Sequence, residues 1–389
     1  MARRLAALFF ATTLMMAGAF VWLWLRVERL AKSMEPPPPA LVKIEARSEP
    51  VSPLLLSYSL DLPGRGELFP ALVAAGAQDY WPVATLRVQN TADRPVMQTI
   101  TAEIRGWTQR SMQTVVLGPR ESRTLHLNPE LLPNAFANDE IRKATLRVTA
   151  TLADSGITAF AQSRPVLLHG GSDLYWGKKF ANAQFISRWV TPHSPAVMQL
   201  ISDARKHVRN GRLPGYIGSR LSAKQMGAQV EMQARAAHKA LQQSGISYIS
   251  SIFTFGEFIG QAQRIRLPSE TLSLRAANCI DVSVAFAAAM ENLGLRPVIV
   301  IVPGHAFAGV RLGPETDQTL YVDLTVLPRG SFEQAVTRAN NWLKKTPQER
   351  VLTVDVAAAR VLGIYPLPTI TDGKSEAIAR DGRASAPIR

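Results

Sequence analysis

The chain contains a single cysteine, Cys279, in the run "NCIDVSVAFAAAMENLGLRPVIVIVPGHAFAGV" (residues 278–310), and His305 follows it just past a Pro-Gly turn. Asp323, in "YVDLT", comes next in the chain. A thiol, an imidazole and a carboxylate in this order are the parts of acyl transfer. The sulfur attacks a carbonyl, the imidazole takes the thiol proton, and the carboxylate holds the imidazole in the useful tautomer. None of the three is diagnostic alone. A lone cysteine is more often a small buried hydrophobe, a histidine beside a turn is often an ordinary hydrogen-bonded residue, and Asp323 fits the end of a strand. Their joint order, at short spacings, is what points to chemistry.

The elements that must position them are legible locally. Asn278 is a favoured N-cap and Asp281 lies three positions on, so Cys279 falls in the first turn of a helix running to about Leu293, with Gly294 ending it. The unpaired N–H groups of a helix start favour a thiolate, so the sequence predicts a lowered thiol pKa and alkylation by iodoacetamide at pH 6. The helix, "VSVAFAAAMENL", is apolar on successive faces and should be buried. "RPVIVIV", "HAFAGVRL" and "TLYVDLTVL" read as three strands, and "SFEQAVTRANNWLKK" as a helix capped by Ser331. Three antiparallel strands on one central helix would bring His305 and Asp323 over its N-terminus.

Upstream, "SPAVMQLISDARKHV" and "EMQARAAHKALQQSG" have the periodicity of amphipathic helices, with Pro192 and Pro195 setting the start of the first and Gly245 ending the second. "ISYISSIFTFG" reads as extended, with "RIRLPSETL" leading towards the cysteine. From 45 to 168 the runs "WPVATLRVQN", "VMQTITAEIRGW", "SMQTVVLG", "SRTLHLN" and "KATLRVTATLA" alternate in polarity between turn clusters, the pattern of an immunoglobulin-like β-sandwich. Residues 5–25 carry no charge and have Trp22 and Trp24 near one end, so 1–33 reads as an uncleaved signal anchor, followed by a Pro-rich linker at 34–44. This predicts one pass through a bacterial inner membrane with the bulk in the periplasm. Residues 369–389 read as a loose tail.

The formal net charge is +14 and the pI near 10.2. The basic residues are scattered or flank the apolar run, and no zinc-finger or RRM signature is present, so nucleic acid is not the expected partner; an acidic membrane surface accounts for the excess. One cysteine excludes an internal disulfide framework and a Cys-rich zinc site. The sequence has no HExxH, CxxC, P-loop or GxSxG, its other histidines lack ligand spacing, and no carboxylate pair is singled out for glycoside hydrolysis. The expected chemistry needs no metal or organic cofactor.

The quoted motifs, with "RWVTPHSPAV" upstream and "VDVAAARVLGIYPLP" downstream, resemble the bacterial transglutaminase-like superfamily of papain-like cysteine enzymes over roughly residues 170 to 368. The resemblance implies an α+β papain-like domain at 169–368 with a Cys279, His305, Asp323 triad, acting on a protein or peptide substrate by cleavage or crosslinking. It also implies an oxyanion hole made by the Cys279 N–H and a second donor, for which Gln263 and Gln261 are candidates. Many relatives carry Gly where this chain has Asn278. The other reading of the same domain is a non-catalytic binding or scaffolding module for envelope protein partners.

Overall fold

A computed structural model describes residues 56–73, 82–217, 221–249 and 262–368. The anchor at 1–33, the linker at 34–44, Gln261 and the tail at 369–389 lie outside the described residues, as does most of "ISYISSIFTFG". No helix among the described residues is long and apolar enough to cross a membrane. The described fold is α+β, with several separate sheets.

The first part consists of β1 (Leu56–Asp61), β2 (Glu67–Leu68), β3 (Ala84–Asn90), β4 (Val96–Ile104), β5 (Ser111–Leu117), β6 (Ser122–Leu127), β7 (Arg142–Leu152) and β8 (Thr158–Leu168). They form a three-stranded sheet, β1-β3-β6, and a five-stranded sheet, β2-β8-β7-β4-β5. Alternate residues are buried along β4, with Ile100, Ala102 and Ile104 turned inward, as expected where each sheet has one covered face. Tyr58 of β1 joins the two sheets: its hydroxyl donates to Gln98 Oε1 of β4 at 2.7 Å and its ring stacks on Phe160 of β8 at 4.8 Å. All five quoted runs form strands. β8 was not anticipated, because Pro165 sits inside it. That proline is tolerated because β2 pairs only with Leu167 and Leu168, so a missing N–H at 165 breaks no ladder bond.

The second part comprises β9 (Asp173–Leu174), α1 (Pro195–Arg205), α2 (Ala223–Gln243), β10 (Ser247–Tyr248), β11 (Gln263–Arg264), α3 (Pro268–Leu274), β12 (Ala276–Ala277), α4 (Cys279–Asn292), β13 (Pro297–Val302), β14 (His305–Arg311), β15 (Thr319–Val322), α5 (Phe332–Lys345), β16 (Leu352–Asp355) and α6 (Val356–Val361). The two parts share packing. Phe69, Ala71 and Leu72 belong to the same buried cluster as Trp176, Trp189 and Ile280. At the junction a Cβ on Gly171 would lie 2.0 Å from the Phe136 carbonyl oxygen, so the two backbones can approach only with glycine there.

The central sheet is antiparallel in the order β15-β14-β13-β16, one strand more than the sequence predicts. Every residue of β13 is buried, because both faces of the sheet are covered. Ile299 and Ile301 pack with Val284, Ala287 and Ala288 of α4. Val298, Val300 and Val302 pack with Ala339 and Trp342 of α5. Helix α4 is buried from Cys279 to Met290, and its alanines allow it to lie close against the strands. It ends as its sequence predicts, with Gly294 at φ 71°. The third strand is shorter than "TLYVDLTVL" predicts. It stops at Val322 because the Asp323 side chain accepts from Thr325 N and caps a 3-10 turn over Leu324–Val326.

Candidate active site

Cys279 is the first residue of α4. The Asn278 side chain accepts from the backbone N–H groups of Ile280 and Asp281 at 3.0 and 2.9 Å, and Asp281 Oδ2 accepts from Asn278 N at 3.2 Å, closing the capping box. Asp281 is fully buried and also binds Arg266, through its backbone N–H at 2.9 Å and its Nη1 at 3.0 Å. This fastens the segment before α3 beneath the cysteine. Asp281 is thereby accounted for as the anchor of the helix start, and Arg266 is a supporting residue the sequence did not reveal.

His305 Nε2 lies 2.9 Å from Asp323 Oδ2, with both side chains buried. With the proton of Nε2 donated to the carboxylate, Nδ1 is the basic nitrogen. The same Oδ2 accepts from Arg338 Nε at 3.0 Å, while Oδ1 accepts from Thr325 N at 3.1 Å and Thr325 Oγ1 at 2.7 Å. Burial would raise the Asp323 carboxyl; the hydrogen bond and charge of His305 and the Thr325 donors outweigh it and hold the carboxyl below its ordinary 3.8. Trp342, one turn beyond Arg338 on α5, stacks on the imidazole at 4.8 Å and fixes its plane.

The approach of imidazole to sulfur differs from the expected one. Ala306, Ala308 and Val310 face α4, whereas His305 and Phe307 face α5. The His305–Asp323 pair therefore sits on the α5 face of the sheet rather than over the helix. The sulfur is tied to the same strand through its backbone. Val302 and His305 close the two-residue hairpin, so the Ala306 N–H points away from β13, towards the gap that opens where β15 has ended. The Cys279 sulfur accepts from the Ala306 N–H, the peptide next to His305.

No family model matches this sequence, and no curated protein matches it. Among solved structures, the chain is similar to the exo-chitosanase CsxA of Amycolatopsis orientalis in complex with PNP-beta-D-glucosamine, at 11% identity and a TM-score of 0.18, covering 49% of this chain and 27% of that one. It is also similar to the exo-beta-D-glucosaminidase CsxA studied with a castanospermine analogue, at 12% identity and a TM-score of 0.17, covering 52% and 28%. The chain thus spans little more than a quarter of the length of either, and likeness at this level carries no argument about fold or activity.

The electrostatics of the thiol differ from the sequence expectation. Burial pushes Cys279 from its ordinary 9.0 up to about 11; the N–H groups of Ala306 and Ile280 oppose this, and the charges of Asp323 and Asp281 add to it. Desolvation outweighs the helix start. The thiol therefore stays protonated at neutral pH. Iodoacetamide labelling of the native chain is accordingly expected to be negligible at pH 6 and to rise about tenfold per pH unit until the titration near pH 11, since only the thiolate reacts. A rate-versus-pH series followed by intact mass checks this. The linkage has the same sign. Between about pH 9 and 11 the unfolded chain releases this proton before the folded one, so the contribution of Cys279 to stability falls as pH rises.

Gln263 is buried in β11, paired with Leu174 of β9, and its Nε2 donates to the Arg264 carbonyl at 3.2 Å. Sequence reasoning passed over Tyr248. β10 runs parallel to β12, which leads directly into Asn278. Burial raises the Tyr248 phenol, the charges of Cys279 and Asp323 raise it further, and Arg338 opposes them. The phenol therefore stays protonated within electrostatic reach of all three. Arg338 and Trp342 were also missed; their spacing of four along an amphipathic helix was the available signal.

Proposed function

We propose that this chain is a membrane-anchored, transglutaminase-like cysteine enzyme on a papain-like domain, preceded by an immunoglobulin-like sandwich, which cleaves or transfers a peptide or isopeptide amide through an acyl-enzyme. The observation that carries the reading is the 2.9 Å His305–Asp323 bond on the residue whose following N–H meets the only thiol of the chain. In this mechanism Cys279 attacks the carbonyl as its proton passes to His305 Nδ1, and the tetrahedral oxyanion is received by the Cys279 N–H, which as the first N–H of α4 has no intrahelical acceptor. Gln263 Nε2 is the second proposed donor. The imidazolium then protonates the leaving amine. Water resolves the thioester in a hydrolase, and an amine does so in a crosslinking enzyme; hydrolysis is the preferred reading. The anchor places the reaction on the periplasmic side of the inner membrane.

The test is capture of the thioester. The full chain in detergent is incubated with a peptide mixture, quenched in acid and weighed. A hydroxylamine-labile adduct on the peptide containing Cys279 is expected, with none in Cys279→Ala. The buried, protonated thiol favours a second reading, in which the domain is a non-catalytic scaffold for envelope proteins. That reading predicts no such adduct and full genetic complementation by Cys279→Ala.

A further inference from the structure

Arg338 joins a buried and an exposed environment. Its Nε is donated inward to Asp323, which is fully buried, yet its own side chain is 54% exposed. Asp323 is its only ion-pair partner among the described residues, and that bond uses one of the five N–H donors of the guanidinium. Both Nη groups are therefore left for the mouth of the site. A guanidinium is a planar fork suited to a second carboxylate. Tyr248, 43% exposed and within reach of the charges of Asp323 and Arg338, supplies a protonated phenol on the side of β12.

Resting on the acyl-transfer reading above, we infer that Arg338, helped by Tyr248, recognises an acidic group on the substrate, a carboxylate close to the carbonyl attacked by Cys279. Trp342 holds the imidazole and Asp323 holds Arg338, so the cation is fixed relative to the His305–Asp323 pair before substrate arrives. This preorganisation is what lets one charge contribute to specificity.

Two alkylating reagents of nearly the same size, iodoacetate and iodoacetamide, test this because they differ in the carboxylate. Rates at Cys279 are measured on the full chain at pH 9, and each is divided by the rate for the same chain unfolded in urea. The ratio of the two normalised rates cancels the thiolate fraction. A cation held beside the reagent's carboxylate is expected to favour iodoacetate about fivefold in the native chain. Arg338→Gln should bring the ratio to within twofold of unity, and Arg338→Lys should retain part of it. A native ratio of one overturns the inference. So does an Arg338→Gln chain in which both rates fall together at an unchanged ratio, since that is the signature of a purely structural arginine. Failure of the underlying reading is a separate result: no hydroxylamine-labile adduct would form on Cys279 with a peptide mixture, whatever the ratio.

Discussion

Asp323→Asn is expected to slow acylation of Cys279 by roughly a thousandfold, the scale on which losing the orienting carboxylate of a nucleophile–base pair acts. The reason lies in the acceptor pattern. Both carboxylate oxygens are filled by donors: His305 Nε2 and Arg338 Nε on one, Thr325 N and Oγ1 on the other. An amide of the same shape has one oxygen and one NH2, so whichever way it turns, an NH2 faces two donors. If it faces Thr325, the 3-10 turn that positions residue 323 loses its cap. If it faces His305, the imidazole is driven to the tautomer with its proton on Nδ1, the nitrogen that must accept the thiol proton. The acylation burst with p-nitrophenyl acetate measures the rate, and urea unfolding is expected to show a cost of about 1–3 kcal/mol for the unsatisfied buried groups. A variant that acylates within threefold of wild type would remove Asp323 from the mechanism.

How much of this was legible depends on how local each signal is. Asn278, Asp281 and Gly294 announce the limits of α4 because caps are read within one turn of chain. "VPGHAF" gives the hairpin because a two-residue turn sets the pairing of its flanking residues. The strand ending at Val322 was over-read, although "DLT" contains the signal: an aspartate whose side chain accepts from the N–H two residues on. The pKa of Cys279 was not legible. The helix start is visible in sequence, but the desolvation that outweighs it comes from the Ala306 strand and the surrounding core. The face on which His305 lies was misjudged for a similar reason: alternation fixes it opposite to Ala306, but only packing shows which face carries α4 and which α5. Arg266, Arg338 and Tyr248 reach the site from elements separated from it in sequence, and nothing in their neighbours marks them.

Asp281→Ala is expected to be the most destabilising substitution near the site without touching any reacting atom. The carboxylate is fully buried, and its loss orphans the Asn278 N–H, the Arg266 N–H and the inward face of the Arg266 guanidinium together. A lost capping interaction alone costs about 1 kcal/mol. Breaking a buried ion pair on one side costs about 3–5 kcal/mol. Arg266 is one-third exposed and can turn its charge to solvent, so the expected total is about 3 kcal/mol by urea unfolding. Asp281→Asn separates the two contributions. Its Oδ1 can still accept from the Asn278 backbone, so the cap persists, whereas the charge facing Arg266 does not, and about half the loss should return. If Asp281→Ala unfolds within 1 kcal/mol of wild type, the start of α4 is held by Asn278 alone, and the placement of the sulfur beside the Ala306 N–H must come from packing of the helix body against β13 and β14 rather than from the polar anchor beneath it.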